Sequence, residues 1–161
     1  MSPVTTRKLA PGDRSPLSEI LAATPEFSPD EVEVALELID SALGDAGDYF
    51  VLVAENAARE VVGYICYGAT PMTESTYDLY WIAVRRSDKG RGYGRALVAA
   101  MDRDLRERGG TLVRVETEST PAYDATRAFY DALGYERAAV FRDFYRPGAD
   151  LVTYRHVVGG G

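Results

Sequence analysis

The sequence is poor in the residues that build covalent or metal-held frameworks: it has one cysteine, Cys66, and one histidine, His156. A lone cysteine closes no internal disulfide, and one cysteine with one histidine falls short of a zinc ligand set, so no metal is expected. Cys66 lies in the apolar run Val61-Val-Gly-Tyr-Ile-Cys-Tyr67 and reads as a buried strand thiol, while His156 reads as structural. Also missing is any apolar stretch as long as a signal-peptide core or a membrane span, residues 1–24 holding Pro3, Pro11 and Pro16 among several charges. The expected location is the cytoplasm. A positive charge balance is lacking too: 25 acidic residues face 18 basic ones, a net charge of −7, which argues against nucleic acid or an anionic membrane as partner. With neither internal repeats nor a linker, the 161 residues are expected to form one domain, 1–161, around a single core.

What is present is a regular alternation of strand and helix signals. Val4 to Leu9 reads as a first strand and Asp13 to Ala23 as a helix around Leu17, Ile20 and Leu21. A second helix is marked by a cap at Ser28, Pro29 in its first turn, Glu31 completing a capping box, and an apolar face of Val32, Ala35, Leu36, Ile39, Ala42 and Leu43. Asp30, Glu31, Glu33, Glu37 and Asp40 form its acidic edge. Strands follow at Tyr49 to Glu55, Val61 to Tyr67 and Tyr77 to Val84, then a helix from Gly94 to Arg108 stopped by Gly109-Gly110, and a strand from Leu112 to Glu116. A last helix, Ala122 to Leu133, ends at Gly134, and strands Tyr135 to Phe141 and Leu151 to Val157 flank a Pro147-Gly148 turn, with Gly159 to Gly161 expected to fray. This order predicts an α+β mixed sheet with one crossover, from the Tyr77 strand to the Leu112 strand.

The most informative passage is Leu79-Tyr-Trp-Ile-Ala-Val84 followed by Lys89-Gly-Arg-Gly-Tyr-Gly-Arg-Ala-Leu97, a buried strand running into a glycine-rich turn that opens a helix. Glycines remove Cβ atoms where backbone N–H groups must approach a ligand, and a helix start adds unpaired N–H donors and the positive end of its dipole. Arg85, Arg86, Lys89, Arg91 and Arg95 crowd the same mouth. A triphosphate P-loop is excluded, because Gly94 is followed by Arg95 and Ala96 rather than by Lys-Ser/Thr. A nicotinamide-type Gly-x-Gly-x-x-Gly fails in both registers, with Leu97 or Arg95 in the last glycine position, although Glu116 stands near the distance of its acidic partner.

The passage resembles motif A of the GNAT acetyltransferases, Gln/Arg-x-x-Gly-x-Gly/Ala after a strand, with Lys89 in the first position. Thr126-Arg-Ala-Phe-Tyr130-Asp-Ala-Leu-Gly134-Tyr135 resembles motif B of the same family, with Tyr123 where many members have Asn and Thr126 where many have Ala. The resemblance covers roughly Tyr49 to the end of the chain. It implies a GNAT fold, α+β with a mostly antiparallel mixed central sheet and helices on both faces. It also implies an acetyl-CoA-dependent N-acetyltransferase acting on a primary amine. The pantetheine arm would lie along Ile82, Ala83 and Val84, with the N–H at or near Val84 polarising the thioester carbonyl. Lys89, Gly90, Arg91, Gly92, Tyr93, Gly94, Arg95 and Ala96 would hold the pyrophosphate, and Thr126, Phe129 and Tyr130 would meet the cofactor from the motif B helix.

The same resemblance makes Tyr130 the proton donor to the departing thiolate. A phenol is protonated at neutral pH and able to hydrogen-bond a thiolate, and Phe129 and Tyr130, being adjacent, cannot share one helix face. Two residues compete as the base. Asp78 aligns with the catalytic glutamate of histone-type members, and Glu116 closes the neighbouring strand. The tail from Arg142 to Asp150 is expected to wall the acceptor pocket, with Asp143 and Asp150 placed to hold an ammonium. The early helices would flank the acceptor cleft with the acidic edge towards it. A non-catalytic acyl-CoA-binding module is the alternative, and a homodimer is left open.

Overall fold

The computed structural model describes residues 4–44 and 46–159, so Gly160 and Gly161 of the end expected to fray lie outside the described residues. In chain order the elements are β1 (Thr5–Lys8), α1 (Arg14–Ala22), α2 (Pro29–Leu43), β2 (Phe50–Glu55), β3 (Val61–Ala69), β4 (Thr76–Val84), α3 (Tyr93–Glu107), β5 (Leu112–Glu118), α4 (Asp124–Ala132), β6 (Glu136–Arg146) and β7 (Ala149–Val157). They build a seven-stranded sheet ordered β1-β2-β3-β4-β5-β7-β6, in which β4 and β5 are parallel and the other neighbours antiparallel. The expected crossover is therefore present, with α3 as its helix. No helix among the described residues is long and apolar enough to cross a membrane.

The alternating side chains of the sheet feed two cores. In β3, Tyr64 and Cys66 face α1 and α2, where they meet Leu17, Ile20, Leu21, Ala35 and Ile39. Ile65 and Tyr67 of the same strand point the other way, into Leu97, Val98, Met101 and Leu105 of α3 and Tyr130 of α4. Burying each of these leucines contributes about 2 kcal/mol, so the two helical layers are held by the period-2 pattern of one strand set. The capping box forms as the sequence predicts: the Ser28 hydroxyl accepts from the Glu31 N–H at 3.2 Å, and Oε1 of Glu31 accepts from the Ser28 N–H at 3.3 Å.

Several element boundaries differ from the sequence expectation: β3 runs on to Ala69 and β5 to Glu118, beyond the expected Tyr67 and Glu116. A 3-10 turn, Pro11–Asp13, precedes α1, because buried Asp13 is turned inward to a bidentate pair with Arg7 at 2.8 and 2.9 Å. The last helix begins at Asp124 after a 3-10 turn, Pro121–Tyr123, rather than at Ala122. Finally, β6 runs to Arg146 through a bulge between Phe141 and Arg146, where Asp143 takes a φ of 56° and charged residues break the apolar alternation.

Candidate active site

The parallel pair is short. Only Thr76, Tyr77 and Asp78 of β4 pair with Leu112, Val113 and Arg114 of β5, after which the two strands diverge. A bulge at Tyr80 helps to bend β4 away, since Tyr67 pairs with Leu79 while Cys66 pairs with Trp81. The closed end of this wedge is fastened by Arg114, whose Nε and Nη2 donate to Asp78 at 2.7 and 3.2 Å, and by the Thr70 hydroxyl, which donates to Asp78 at 2.8 Å. At the open end Arg127 of α4 donates to the carbonyls of Glu118 and Thr120 at 2.6 and 3.0 Å, fixing the chain as it leaves β5.

Between the diverging strands lies a chamber of about 190 Å³. Leu79, Tyr80, Trp81 and Ile82 of β4 and Val115, Glu116, Thr117 and Glu118 of β5 form two walls. Glu26, Phe27 and Glu31 close it from the start of α2, Tyr123, Thr126 and Tyr130 from α4 and the turn before it, and Tyr145 from the β6 bulge. Tyr130 is 2% exposed and packed edge-on to Phe129 and tilted against Tyr135 and Tyr154, with centroid distances of 5.4, 5.5 and 5.4 Å. That aromatic cage fixes the ring, while its hydroxyl finds no hydrogen-bond partner among the described residues. Burial, and after it the neighbouring Tyr154, push the phenol well above its ordinary pKa, so it stays protonated.

The two candidate carboxylates part company here. Glu116 faces the chamber, with Arg114 Nε 3.7 Å from its Oε1. Asp78 does not line it; both its oxygens are engaged by Arg114 and Thr70, and the residue is buried. Asp143 and Asp150 serve the hairpin instead: Asp143 accepts from the Gly148 N–H at 2.8 Å and Asp150 from the Asp143 N–H at 2.9 Å. Of the acidic edge of α2 only Glu31 reaches the chamber, and Asp40 pairs with Arg14 at 2.6 Å on the surface. Glu26 and Glu118 line the chamber without having been picked out by any motif.

From the open end of β4 the chain turns through Arg86–Asp88 into the glycine loop. Gly90 and Gly92 have φ of 79° and 88°, a region that favours glycine, and a Cβ at either would meet no atom within 4 Å. Gly92 is the N-cap of α3 and no side chain caps the helix, so the first-turn N–H groups open onto that empty space. Gly94 has a different role: a Cβ there would stand 3.1 Å from the Phe129 ring, which packs on the helix start. Tyr93 is buried in the α3-side core, as Ala83 is in the opposite one, while Ile82, Val84, Ala96, Thr126 and Phe129 are half-buried. The basic cluster is thinner than it reads in the sequence. Arg85 is held by Asp88 at 2.6 Å, Arg91 lies 3.9 Å from the same carboxylate, and Lys89 and Arg95 are exposed with no ion pair among the described residues. Cys66 is buried on β3, and burial pushes its thiol up to about 12.

Comparison with known proteins agrees with this geometry. Residues 15–135 match the acetyltransferase (GNAT) family. The chain is 34% identical over 111 residues to the N-alpha-acetyltransferase RimI of Mycobacterium tuberculosis, the aligned stretch spanning 66% of each protein. Among solved structures, a GNAT-family protein of Desulfovibrio desulfuricans is 40% identical with a TM-score of 0.90, covering 98% of this chain and 100% of the other. The yncA protein of Salmonella typhimurium, solved with acetyl-CoA, shares the fold at 21% identity and a TM-score of 0.75, over 99% of this chain and 96% of its own.

Proposed function

The chain belongs to the GNAT family of acetyl-CoA-dependent N-acetyltransferases, and we propose that it passes the acetyl group to a primary amine by direct attack in the chamber between β4 and β5. The observation that carries this reading is continuity: the uncapped start of α3, the unpaired edge of β4 and the chamber holding Tyr130 and Glu116 lie along one strand-loop-helix unit. The cradle fits a pyrophosphate, with free N–H donors, two positive-φ glycines bordering open space, and Lys89 and Arg95 available as counter-charges. Beyond Asp78 the β4 edge facing β5 has no strand partner, so its main-chain groups are free to pair with an extended pantetheine arm.

Acetyl-CoA supplies the activated carbonyl. Glu116, open to the chamber, accepts a proton from the substrate ammonium, the freed amine attacks the thioester carbonyl, and the second amine proton leaves with the thiolate as free thiol, while Asp78 is assigned to holding the wedge closed. Tyr130 donates a hydrogen bond to the departing sulfur. With its pKa raised further above a thiol's roughly 8.5, the phenol stabilises the developing thiolate chiefly as a fixed donor. A covalent cysteine route would need the Cys66 thiolate, which its burial disfavours.

The test is binding followed by turnover. Acetyl-CoA and coenzyme A should both raise the melting temperature, NAD should not, and acetyl-CoA with an amine library should release free thiol. Gly92→Val places a β-branched side chain at φ 88°, so the unliganded protein should melt several degrees lower and the coenzyme A shift should vanish. Because strain alone lowers stability, Arg95→Glu serves as a second variant: it leaves the backbone intact and should lose most of the shift. Normal coenzyme A binding by both variants would move the cradle elsewhere. Binding without thiol release from any amine would leave the non-catalytic module as the reading.

A further inference from the structure

We propose that the chamber is built for a small amine carrying a second ammonium, an α,ω-diamine, whose far end is held by Glu26 and Glu31 while its near end meets Glu116 and Tyr130. The inference rests on the acetyltransferase reading above. Among the described residues four glutamates, Glu26, Glu31, Glu116 and Glu118, line the chamber, and no lysine or arginine does. The two from β5 have cationic neighbours, Arg146 at 3.0 Å from Glu118 and Arg114 at 3.7 Å from Glu116. The two from the α2 side have none among the described residues. Glu31 is oriented all the same: Oε1 accepts from the Ser28 N–H and Oε2 from the Tyr123 hydroxyl, each at 3.3 Å. Tyr123 shares the same hydroxyl proton with the Glu26 main-chain carbonyl at that distance, and burial, then the charges of Glu31, Glu118 and Glu26, push its phenol pKa upwards, so the three carboxylates lie around one hydroxyl.

Solvated carboxylates alone would carry no such weight. The second observation is Tyr130, 2% exposed and lining the same chamber, whose hydroxyl has no hydrogen-bond partner among the described residues, which makes this a reaction space rather than an acidic surface. The rest of the lining suits the proposed ligand. Phe27 and Trp81 meet edge to face at 5.1 Å, giving apolar wall for methylenes and ring faces for a cation. A volume near 190 Å³ is below the roughly 300–1,000 Å³ of pockets that bury drug-sized ligands, which favours a short acceptor. A monoamine would leave the Glu26 and Glu31 carboxylates with no cation from among the described residues.

The experiment compares 1,4-diaminobutane with n-butylamine as acceptors. The wild type should favour the diamine in kcat/KM by about tenfold or more, the equivalent of one well-placed charge interaction. In the double variant Glu26→Gln/Glu31→Gln that preference should fall to within about twofold of unity, chiefly through a higher KM for the diamine. Glutamine at position 31 can still complete the capping box, so the melting temperature and its rise with acetyl-CoA report that the fold persists. Equal use of both amines by the wild type, or an unchanged preference in the double variant, overturns the inference and leaves acetyl transfer standing. So does a glycyl-lysine amide peptide that outcompetes 1,4-diaminobutane, since that would place the second cation on a polypeptide. Titration of 1,4-diaminobutane into coenzyme A-saturated protein separates the two readings: binding that needs Glu26 and Glu31, without transfer to any amine, keeps the diamine site and overturns the enzymatic reading.

Discussion

Tyr130→Phe should lower acetyl transfer by about 10²-fold or more while the protein folds and binds acetyl-CoA nearly as the wild type does. The ring is what packs: it is 2% exposed among Phe129, Tyr135 and Tyr154, and phenylalanine preserves those contacts. The hydroxyl has no partner among the described residues, so deleting it orphans no buried donor or acceptor, and the unfolding free energy should change by less than about 1 kcal/mol. A donor reserved for the transition state behaves in this way, since its loss appears in kcat and kcat/KM together and leaves acetyl-CoA affinity alone. Tyr135 and Tyr64 offer internal contrasts. Their hydroxyls also lack partners among the described residues, but they are sealed in the core rather than facing the chamber, and their phenylalanine variants should turn over normally. Turnover by Tyr130→Phe within about twofold of wild type at saturating acetyl-CoA would remove Tyr130 from the chemistry, because a fixed donor to a developing anion is worth far more than that.

The parts of the structure written locally are the parts that the sequence makes legible. Ser28, Pro29 and Glu31 announce the start of α2 within four residues, and Gly109-Gly110 announces the end of α3, the Gly110 N–H closing onto the Leu105 carbonyl at 2.7 Å. The glycine loop is equally local, since its two positive-φ positions need nothing beyond their own backbone. The site's polar wiring is not local. Asp78 looks like a base candidate until Arg114, 36 residues away, takes both its oxygens, and strand register alone brings the two together. Tyr123 reaches Glu26 across 97 residues, so its place as a chamber wall has no local signature. The β6 bulge is hidden for a different reason. Its ladder is interrupted by charged residues whose carboxylates satisfy turn N–H groups, which in sequence reads as a long polar turn.

Glu116→Gln and Asp78→Asn should fail in different ways, and the pH profile tells them apart. An alkylammonium substrate has a pKa near 10.4, so at neutral pH only a minor fraction is the nucleophilic free amine and a base is most useful there. If Glu116 takes that proton, Glu116→Gln should cost about 10²-fold or more in kcat/KM near pH 7. The deficit should shrink as the pH approaches about 10, because deprotonated amine becomes abundant without help. Asp78→Asn should show no such recovery, because Asp78 faces Arg114 and Thr70 rather than the chamber. Its cost should appear in stability: a charged, bidentate hydrogen-bond pair at the closed end of the wedge is weakened, lowering the unfolding free energy by about 1–3 kcal/mol. Its kcat/KM should keep the wild-type dependence on pH, reduced by a constant factor if the wedge loosens. A pH-dependent deficit in Asp78→Asn with a flat one in Glu116→Gln would exchange the two assignments. Wild-type profiles in both would leave the proton to water in the chamber, with Glu116 acting only through its charge.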